Sequence, residues 1–387
     1  MPVVTQPRRQ LASYPVPSFF YRLFYTIGMV ARAPFWALQY GLFPRTRPYH
    51  TWTFKQAFLM KVFTEVVYMD SRTEKPRPLS LEPGNEGDSW VTLEPFPSTM
   101  YLGPLEDKNV QPAVIGSTWF PSKPTEFSGL GKDKAIVFHI HGGGFVLGDG
   151  RKAETQFLAN LYLTHGNAAA VFSPQYRLAS RPTSAPFPAP LQDTLTSYLY
   201  LVRTLGIPPE KIVLSGDSAG ANLAIGLLRY ITSHPSLEIP LPNSAVLVSP
   251  WVAPVKHLWP EIAIKSNPYF ATDYLGVDFC RYCAGVYTGP ASSGVAPDDA
   301  YITPLGHPFA VPGVPILVTV GALEMLSIDG DAWAKEMAHV QGNQVETYFE
   351  PEAPHDTLLL GYVCGFKDSA AEVAKRIGEF IKRQITE

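Results

Sequence analysis

The segment KIVLSGDSAGANLA at residues 211–224 decides the fold of this chain. It begins with a short apolar run, Ile-Val-Leu, whose lack of polar alternation is typical of a strand covered on both faces. Helical spacing starts at residue 219 and continues to residue 233. The pentapeptide GDSAG stands between the two, so Ser218 is predicted to lie at a tight turn from a strand into a helix.

The alternation of strands and helices extends from residue 110 to the C-terminus. Predicted strands cover residues 113–120, 135–140, 168–172, 211–214, 245–249, 316–320 and 345–350, and predicted helices cover residues 154–163, 190–205, 219–233, 330–341 and 369–385. Strands that alternate with helices of about ten residues or more indicate βαβ units and a mostly parallel sheet. Residues 251–300 interrupt this rhythm with proline-rich connections and a helical stretch near residues 269–286. We expect them to be an insertion that packs with the N-terminal region above the core.

Ser218 has the surroundings of a nucleophile. The small residues beside it let strand and helix approach closely, and the N-terminus of the helix favours a developing oxyanion. HGGGF at residues 141–145 follows another predicted strand, and its glycines leave backbone N–H groups open to a bound carbonyl. Such a loop together with G-x-S-x-G is the arrangement of esterases. The Lys-Ser/Thr ending of a phosphate-binding loop is missing, which argues against a nucleotide site.

A base and an acid are expected after Ser218, in the order Ser, acid, His. His355 is the predicted base, because it lies five residues beyond the last predicted strand, where a loop reaches the top of the sheet. The acid should follow the preceding strand, and Glu324, four residues beyond that strand, is favoured. Asp329 stays open as the alternative, although an acid entering the next helix commonly serves as a cap or a first-turn charge.

Further motifs occur in one order along the chain. They are HIHGGGF at 139–145, YRLA at 176–179, PFPAPLQD at 186–193, GDSAGANLA at 216–224, SPW at 249–251 and ITPL at 302–305. With these motifs the chain resembles the hormone-sensitive-lipase-like group of the α/β-hydrolase superfamily from about residue 112 onward. The resemblance implies an α/β fold with an eight-stranded, mostly parallel sheet, helices on both faces and a helical cap. It also implies Ser218 as nucleophile, His355 as base, and Gly143, Gly144 and Ala219 as oxyanion donors.

Two segments depart from the pattern of that group. The acid usually stands in a D-P-L-x-D-E-G run, which reads EMLSIDG at residues 324–330 here. Glutamate can replace aspartate in such triads, but the contact between base and acid must then adjust by one methylene. The pattern D-Y-R-L-A-P-E becomes QYRLASR at residues 175–181, so the loop over the site is expected to differ in shape.

The N-terminal part differs from the body in charge and in aromatic content. Residues 1–80 contain 11 Lys and Arg against 3 Asp and Glu, a net of +8, whereas the other 307 residues contain 20 against 31, a net of −11. Twelve of the 48 aromatic residues lie between Tyr14 and Trp52. Residues 23–43 are nearly uncharged, but Arg32 lies in their middle, and a charge at the centre of a spanning helix costs about 3 kcal/mol.

Two interpretations of residues 11–45 remain open. Arg22, Thr26 and Arg32 follow one side of a helix whose other sides are apolar, which suits a helix in a membrane interface with its basic side toward anionic headgroups. The same pattern suits a cap helix that docks on the body and covers a pocket. A transmembrane span or a cleaved signal is disfavoured by Arg22 and Arg32, which interrupt the apolar stretch.

The composition of the chain argues against several kinds of partner, crosslink and metal site. A net charge of −3 argues against a nucleic-acid partner. The three cysteines, Cys280, Cys283 and Cys364, are too few for a disulfide framework, and the C-x-x-C pair lacks the second pair that a zinc site needs. We therefore expect inert buried thiols, no metal, no cofactor, and an intracellular chain that is cytoplasmic or peripherally associated with a membrane.

These observations lead to one expected organisation and function. Residues 1–110 are predicted to form an N-terminal cap and lead-in segment, and residues 111–387 a catalytic domain with a cap insertion at about 251–300. The expected reaction is cleavage of a carboxylic ester of an apolar small molecule through an acyl-enzyme on Ser218. The alternatives are a biosynthetic hydrolase that acts on a lactone, thioester or polyketide-type intermediate, and a ligand-binding module without catalysis. The sequence sets no oligomeric state.

Overall fold

A single eight-stranded sheet organises the chain in the computed structural model, which describes residues 9–124, 131, 133–289 and 295–386. The predicted lead-in segment and insertion therefore each include residues outside these ranges. The strands are β1 Trp90–Leu93, β2 Ile115–Phe120, β3 Ala135–Ile140, β4 Ala168–Gln175, β5 Ile212–Asp217, β6 Ser244–Val248, β7 Ile316–Gly321 and β8 Val345–Glu350.

The order of the strands across the sheet is β1-β2-β4-β3-β5-β6-β7-β8. β2 runs antiparallel to both of its neighbours, and every pair from β4 to β8 is parallel. The predicted α/β fold with a mostly parallel sheet is confirmed. All seven strands predicted from apolar runs are present, and β1, a four-residue strand in the lead-in segment, is the additional one.

Burial explains why the central strands read as apolar runs. Every residue of β3 and of β5 is buried. Within β3, Ile136 and Phe138 join one core cluster, whereas Ala135 and Val137 join the cluster on the opposite face. Helices cover both faces of these strands, so polar alternation is absent.

Ten α-helices occur among the described residues. They are α1 Pro15–Leu42, α2 Phe54–Thr73, α3 Lys152–Thr164, α4 Ala189–Leu199, α5 Ala219–Ser233, α6 Glu261–Lys265, α7 Val277–Tyr287, α8 Ser327–Ala338, α9 Thr357–Cys364 and α10 Lys367–Thr386. The predicted helix over residues 190–205 is α4, which continues as one turn of π-helix. Neither α2 nor α9 was expected from the sequence. Residues 251–300 contribute α6 and α7. The helical stretch predicted near residues 269–286 is helical only from Val277 onward, because the backbone before it forms turns.

The N-terminal helices are attached to the body through α2. The first helix, α1, packs along α2, and α2 in turn contacts α7 and α9. A small cluster of Trp36, Tyr40 and Ala57 forms the buried part of the contact between α1 and α2. Among the described helices, none combines the length and hydropathy that a membrane crossing requires.

The topology brings four loops to one edge of the sheet. β3, β5, β7 and β8 run in the same direction, so the loops at their carboxyl ends lie side by side. The HGGG loop follows β3, Ser218 follows β5, Glu324 follows β7 and His355 follows β8. The residues singled out from the sequence therefore converge.

Candidate active site

Ser218 occupies a strained turn between β5 and α5. Its backbone has φ 52° and ψ −114°, a conformation that non-glycine residues rarely adopt. Two backbone hydrogen bonds hold it there: the Ser218 N–H donates to Val248 at 2.8 Å, and its carbonyl accepts from the N–H of Trp251 at 3.0 Å. A Cβ at Gly220 would lie 2.0 Å from the carbonyl oxygen of Ile140, so only glycine permits this close approach of helix and strand.

The structure brings Ser218, His355 and Glu324 into one chain of hydrogen bonds. His355 Nε2 lies 3.0 Å from Ser218 Oγ, and His355 Nδ1 lies 3.1 Å from Glu324 Oε2. All three side chains are buried. Asp329, the alternative acid, instead forms an ion pair with Lys256 at 2.5 Å. Of the two carboxylates, only Glu324 contacts the histidine.

The HGGG loop lies beside Ser218 with its backbone N–H groups available. The N–H groups of Gly143, Gly144 and Ala219 donate no hydrogen bond within the part of the chain that the structure describes. Gly144 has φ 63°, and a Cβ there would lie 2.6 Å from the Sγ of Cys283 in α7. The insertion helix therefore packs directly against the loop, and glycine is required at that position for both reasons.

Two residues that the site predictions did not include hold the HGGG loop in place. The Asp217 carboxylate accepts a hydrogen bond from the Gly142 N–H at 2.9 Å. The Tyr176 hydroxyl donates to the carbonyl oxygen of His141 at 3.0 Å, and its ring stacks on the His141 ring at 4.1 Å. Both residues lie inside motifs visible in the sequence, GDSAG and YRLA, but their contacts depend on the folded chain.

The insertion also holds the loop that carries Glu324. Thr272 Oγ1 donates to the carbonyl oxygen of Leu323 at 2.7 Å. Asp273 Oδ2 accepts from the backbone N–H of Met325 at 2.7 Å. The two residues next to Glu324 in sequence are thus fixed from the same side by neighbouring residues of the insertion. No local sequence pattern indicates this contact.

The site is buried and rich in carboxyl groups, which sets the protonation of the histidine. Burial alone would lower the pKa of His355, but its hydrogen bond to Glu324 and the negative charges of Glu324, Asp273 and Asp356 outweigh burial and raise the pKa to about 9. Burial raises the pKa of Asp273 to about 6, so this carboxylate is ionised above that pH. The arrangement favours an imidazolium beside Glu324.

Two further carboxyl groups, those of Asp217 and Asp356, lie next to Ser218 and His355 in the sequence. Asp217 and Asp356 are both buried, and their carboxyl groups interact electrostatically with each other. Burial, together with the charge of Asp217, raises the pKa of Asp356 well above its ordinary value. Two neighbouring carboxyl groups in a buried site favour sharing a proton over ionising together.

A cavity of about 190 Å³ opens at Ser218 and His355. Much of its wall is apolar and comes from Phe63 and Val67 of α2, Phe279 of α7, Leu326, and Leu359 and Leu360 of α9. Of the two N-terminal helices, α2 contributes residues to this wall, whereas no residue of α1 lines the cavity. Arg77, Asp149 and Glu154 add polar groups at another part of the wall.

The cysteines are buried thiols. Cys280, Cys283 and Cys364 form no disulfide, and burial raises the pKa of Cys364 to about 12. Cys280 lines the cavity and Cys283 packs against the HGGG loop. Within the described residues, no group of three or more His, Cys, Asp or Glu side chains is arranged to hold a metal ion.

Comparison with known proteins identifies the family. The family that matches residues 137–359 is described as alpha/beta hydrolase fold. The acetyl-hydrolase of Streptomyces hygroscopicus is 32% identical over 228 residues, which are 58% of this chain and 68% of that protein. The hormone-sensitive lipase of Mus musculus is 40% identical over 97 residues, which are 24% of this chain and only 12% of that protein.

Solved structures agree with this match. The crystal structure of a hormone-sensitive lipase from a metagenome library has 25% sequence identity and a TM-score of 0.55, and the match covers 70% of this chain and 82% of that one. The chain belongs to the α/β-hydrolase fold family, in its hormone-sensitive-lipase-like group. The resemblance inferred from the motifs is confirmed. By this membership the protein is a carboxylic ester hydrolase.

Proposed function

We propose that this ester hydrolase cleaves esters of apolar small molecules through an acyl-enzyme on Ser218. The observation that carries the proposal is the hydrogen-bond chain from Ser218 Oγ through His355 to Glu324, at 3.0 and 3.1 Å, beside a largely apolar cavity. A base within hydrogen-bond reach of the nucleophile, itself oriented by a third group, is the arrangement that activates a serine hydroxyl.

The reaction follows from these contacts in two halves. In its neutral form His355 takes the proton of Ser218 Oγ through Nε2 while the oxygen attacks the acyl carbonyl, and Glu324 stabilises the imidazolium through Nδ1. The imidazolium then protonates the leaving alcohol, which departs and leaves the acyl group on Ser218. A water molecule attacks the acyl-enzyme as His355 takes its proton, and return of that proton to Ser218 releases the acid.

The charge that develops on the carbonyl oxygen would be met by the N–H groups of Gly143, Gly144 and Ala219. These donors are supported by their lack of other hydrogen bonds among the described residues and by their position around Ser218. Asp217 contributes by fixing the Gly142 N–H, which keeps that group out of the oxyanion site and holds the start of the loop. Preorganised donors of this kind commonly supply about 3 kcal/mol of transition-state stabilisation each.

The size and lining of the cavity support the substrate class. A volume of about 190 Å³ is small for a ligand pocket, so a short or medium acyl chain fits better than a long one within the cavity. Side chains such as Phe63, Phe279 and Leu360 offer an apolar surface to that chain. We further propose that residues 1–110 and the insertion at 251–300 form the cap, since α2 and α7 supply these walls.

A panel of p-nitrophenyl esters from acetate to palmitate, assayed beside the Ser218→Ala variant, tests the proposal. We expect the highest kcat/KM at short or medium chains, no turnover by the variant, and a transient acyl adduct on Ser218 detected by intact mass spectrometry. Equal activity in Ser218→Ala would contradict the role of the serine. An active enzyme that opens lactones but cleaves none of these esters would contradict the substrate class.

A further inference from the structure

We propose that the outward face of α1 is a lipid-binding surface, by which the enzyme lies on an anionic bilayer with α1 in the interfacial plane. This inference concerns a partner and does not depend on the reaction at Ser218. It rests on the orientation of α1, which is the reverse of an ordinary surface helix: its polar side faces the protein and its apolar side faces outward.

The polar side of α1 is neutralised by α2. Arg22 forms an ion pair with Asp70 at 2.6 Å, and Arg32 forms one with Glu65 at 3.2 Å. The Tyr25 hydroxyl donates to Glu65 at 2.5 Å. The membrane-interface interpretation placed Arg22 and Arg32 toward lipid headgroups, and this orientation is wrong, because both arginines face acidic residues of α2.

The opposite side of α1 is a continuous apolar face without charge. Phe19, Phe20, Phe24, Ile27, Phe35 and Leu38 are each at least 50% exposed. At about 100° per residue these positions span an arc of about 160° of the helix, and they extend along most of its 28 residues. Single exposed apolar residues are ordinary on a protein surface, but a contiguous patch of this extent marks an interaction site.

The apolar face is held outward at both ends of the helix. Before α1, Arg181 donates to the carbonyl oxygen of Ser13 at 3.2 Å. After α1, Trp52 is buried and its Nε1 donates to the carbonyl oxygen of Glu352 at 2.8 Å. With both ends tied to the body and its polar side paired with α2, α1 is not free to rotate its apolar face inward.

Charge indicates a lipid surface rather than a second copy of the chain. Exposed basic residues stand near the two ends of the face, Arg9 before it and Arg45 and Lys55 after it. No Asp or Glu precedes Glu65 in the sequence. Two copies apposed through this face would bring like charges together, whereas anionic headgroups attract them. A bilayer also covers the full arc, while one packed helix covers only a strip of it.

Vesicle sedimentation with the full-length protein tests the inference. The double variant Phe24→Asp/Ile27→Asp alters the centre of the face, and Ile262→Asp/Ile328→Asp is the matched control, since those isoleucines are exposed outside α1. We expect the wild type and the control to sediment with vesicles of phosphatidylcholine and phosphatidylglycerol, more strongly than with phosphatidylcholine alone. The α1 variant should partition at least about tenfold less.

Hydrolysis of p-nitrophenyl acetate in the absence of vesicles shows whether each variant is folded. Retained hydrolysis with lost vesicle binding supports the lipid surface. Wild-type protein that stays in solution with both vesicle types overturns it, as does a dimer in analytical ultracentrifugation that only the α1 variant dissociates. Wild-type protein that binds vesicles but cleaves no ester leaves the lipid surface standing and contradicts the proposed reaction instead.

Discussion

Asp273 accepts a hydrogen bond from the backbone N–H of Met325 at 2.7 Å, so the insertion fixes the residue that follows Glu324. Thr272 fixes the residue that precedes it through the carbonyl oxygen of Leu323. The longer glutamate side chain thus rises from a loop that is held on both sides, which suits a triad where Glu replaces the usual Asp. Residues 251–300 therefore contact the loop that carries Glu324 as well as forming part of the cavity wall.

Replacement of Asp273 by Asn should move the pH dependence of the reaction. The base must be neutral, so kcat/KM is expected to rise with pH through the His355 pKa of about 9. Asp273 is ionised in that range and its charge raises the pKa of His355. Asp273→Asn keeps an acceptor for Met325 but removes the charge, so the rising limb should shift to lower pH.

The control for this shift is Asp278→Asn, which removes an equal charge from the insertion at a partly exposed ion pair with Arg72. The measurement is kcat/KM as a function of pH for the wild type, Asp273→Asn and Asp278→Asn. If the rising part of the pH profile does not move in Asp273→Asn, or moves equally in both variants, Asp273 has no specific electrostatic role. A simple loss of packing would lower the rate at every pH without moving the limb.

Thr272→Val should weaken the hold on Leu323, the residue that precedes Glu324. Valine keeps the shape of the buried side chain but cannot donate to Leu323, and the loss of one hydrogen bond is worth about 1 kcal/mol. We expect kcat to fall about three- to tenfold with little change in KM, and Thr272→Ser to restore it. If KM rises while kcat stays constant, Thr272 acts on substrate binding and not on the acid.

The choice between the two carboxylates can be settled by Glu324→Gln and Asp329→Asn. The first keeps the volume beside His355 but removes the charge that stabilises the imidazolium, and kcat should fall by about two to four orders of magnitude. The second breaks only the ion pair with Lys256 and should change kcat less than about twofold. The reverse ranking would assign the acid role to Asp329.

The arrangement of the candidate site could be predicted from the sequence because it depends on local motifs and on the order of the strands along the chain. Gly143 and Ser218 stand in short motifs that follow apolar runs, and His355 is the histidine that directly follows the last predicted strand. Parallel strands bring their carboxyl ends to one edge, so the order along the chain fixed the meeting point. The same reasoning placed Glu324 nearer to that edge than Asp329.

The sequence could not reveal contacts that arise only between distant segments. Thr272 and Asp273 lie in the part of the predicted helical stretch at residues 269–286 that precedes α7 and is not helical in the structure, and their hydrogen bonds reach residues about fifty positions away. In α1 the pattern shows two sides of a helix but not which side faces the protein. The acidic partners of Arg22 and Arg32 on α2 decide that question, and α2 itself was not predicted.

Gly144→Ala should separate the loop from the insertion helix and reduce the rate. The added Cβ would lie 2.6 Å from Cys283 Sγ, and the φ of 63° adds about 1 kcal/mol of strain for a side chain. A displaced loop misplaces its N–H donors, so kcat should fall about a hundredfold. Cys283→Ala removes the sulfur and should restore part of that loss in the double variant, while changing little alone.

Steady-state kinetics and thermal unfolding of the single and double variants would measure this effect. Wild-type kcat in Gly144→Ala, or no recovery in a stably folded double variant, would show that contact with α7 does not set the loop position.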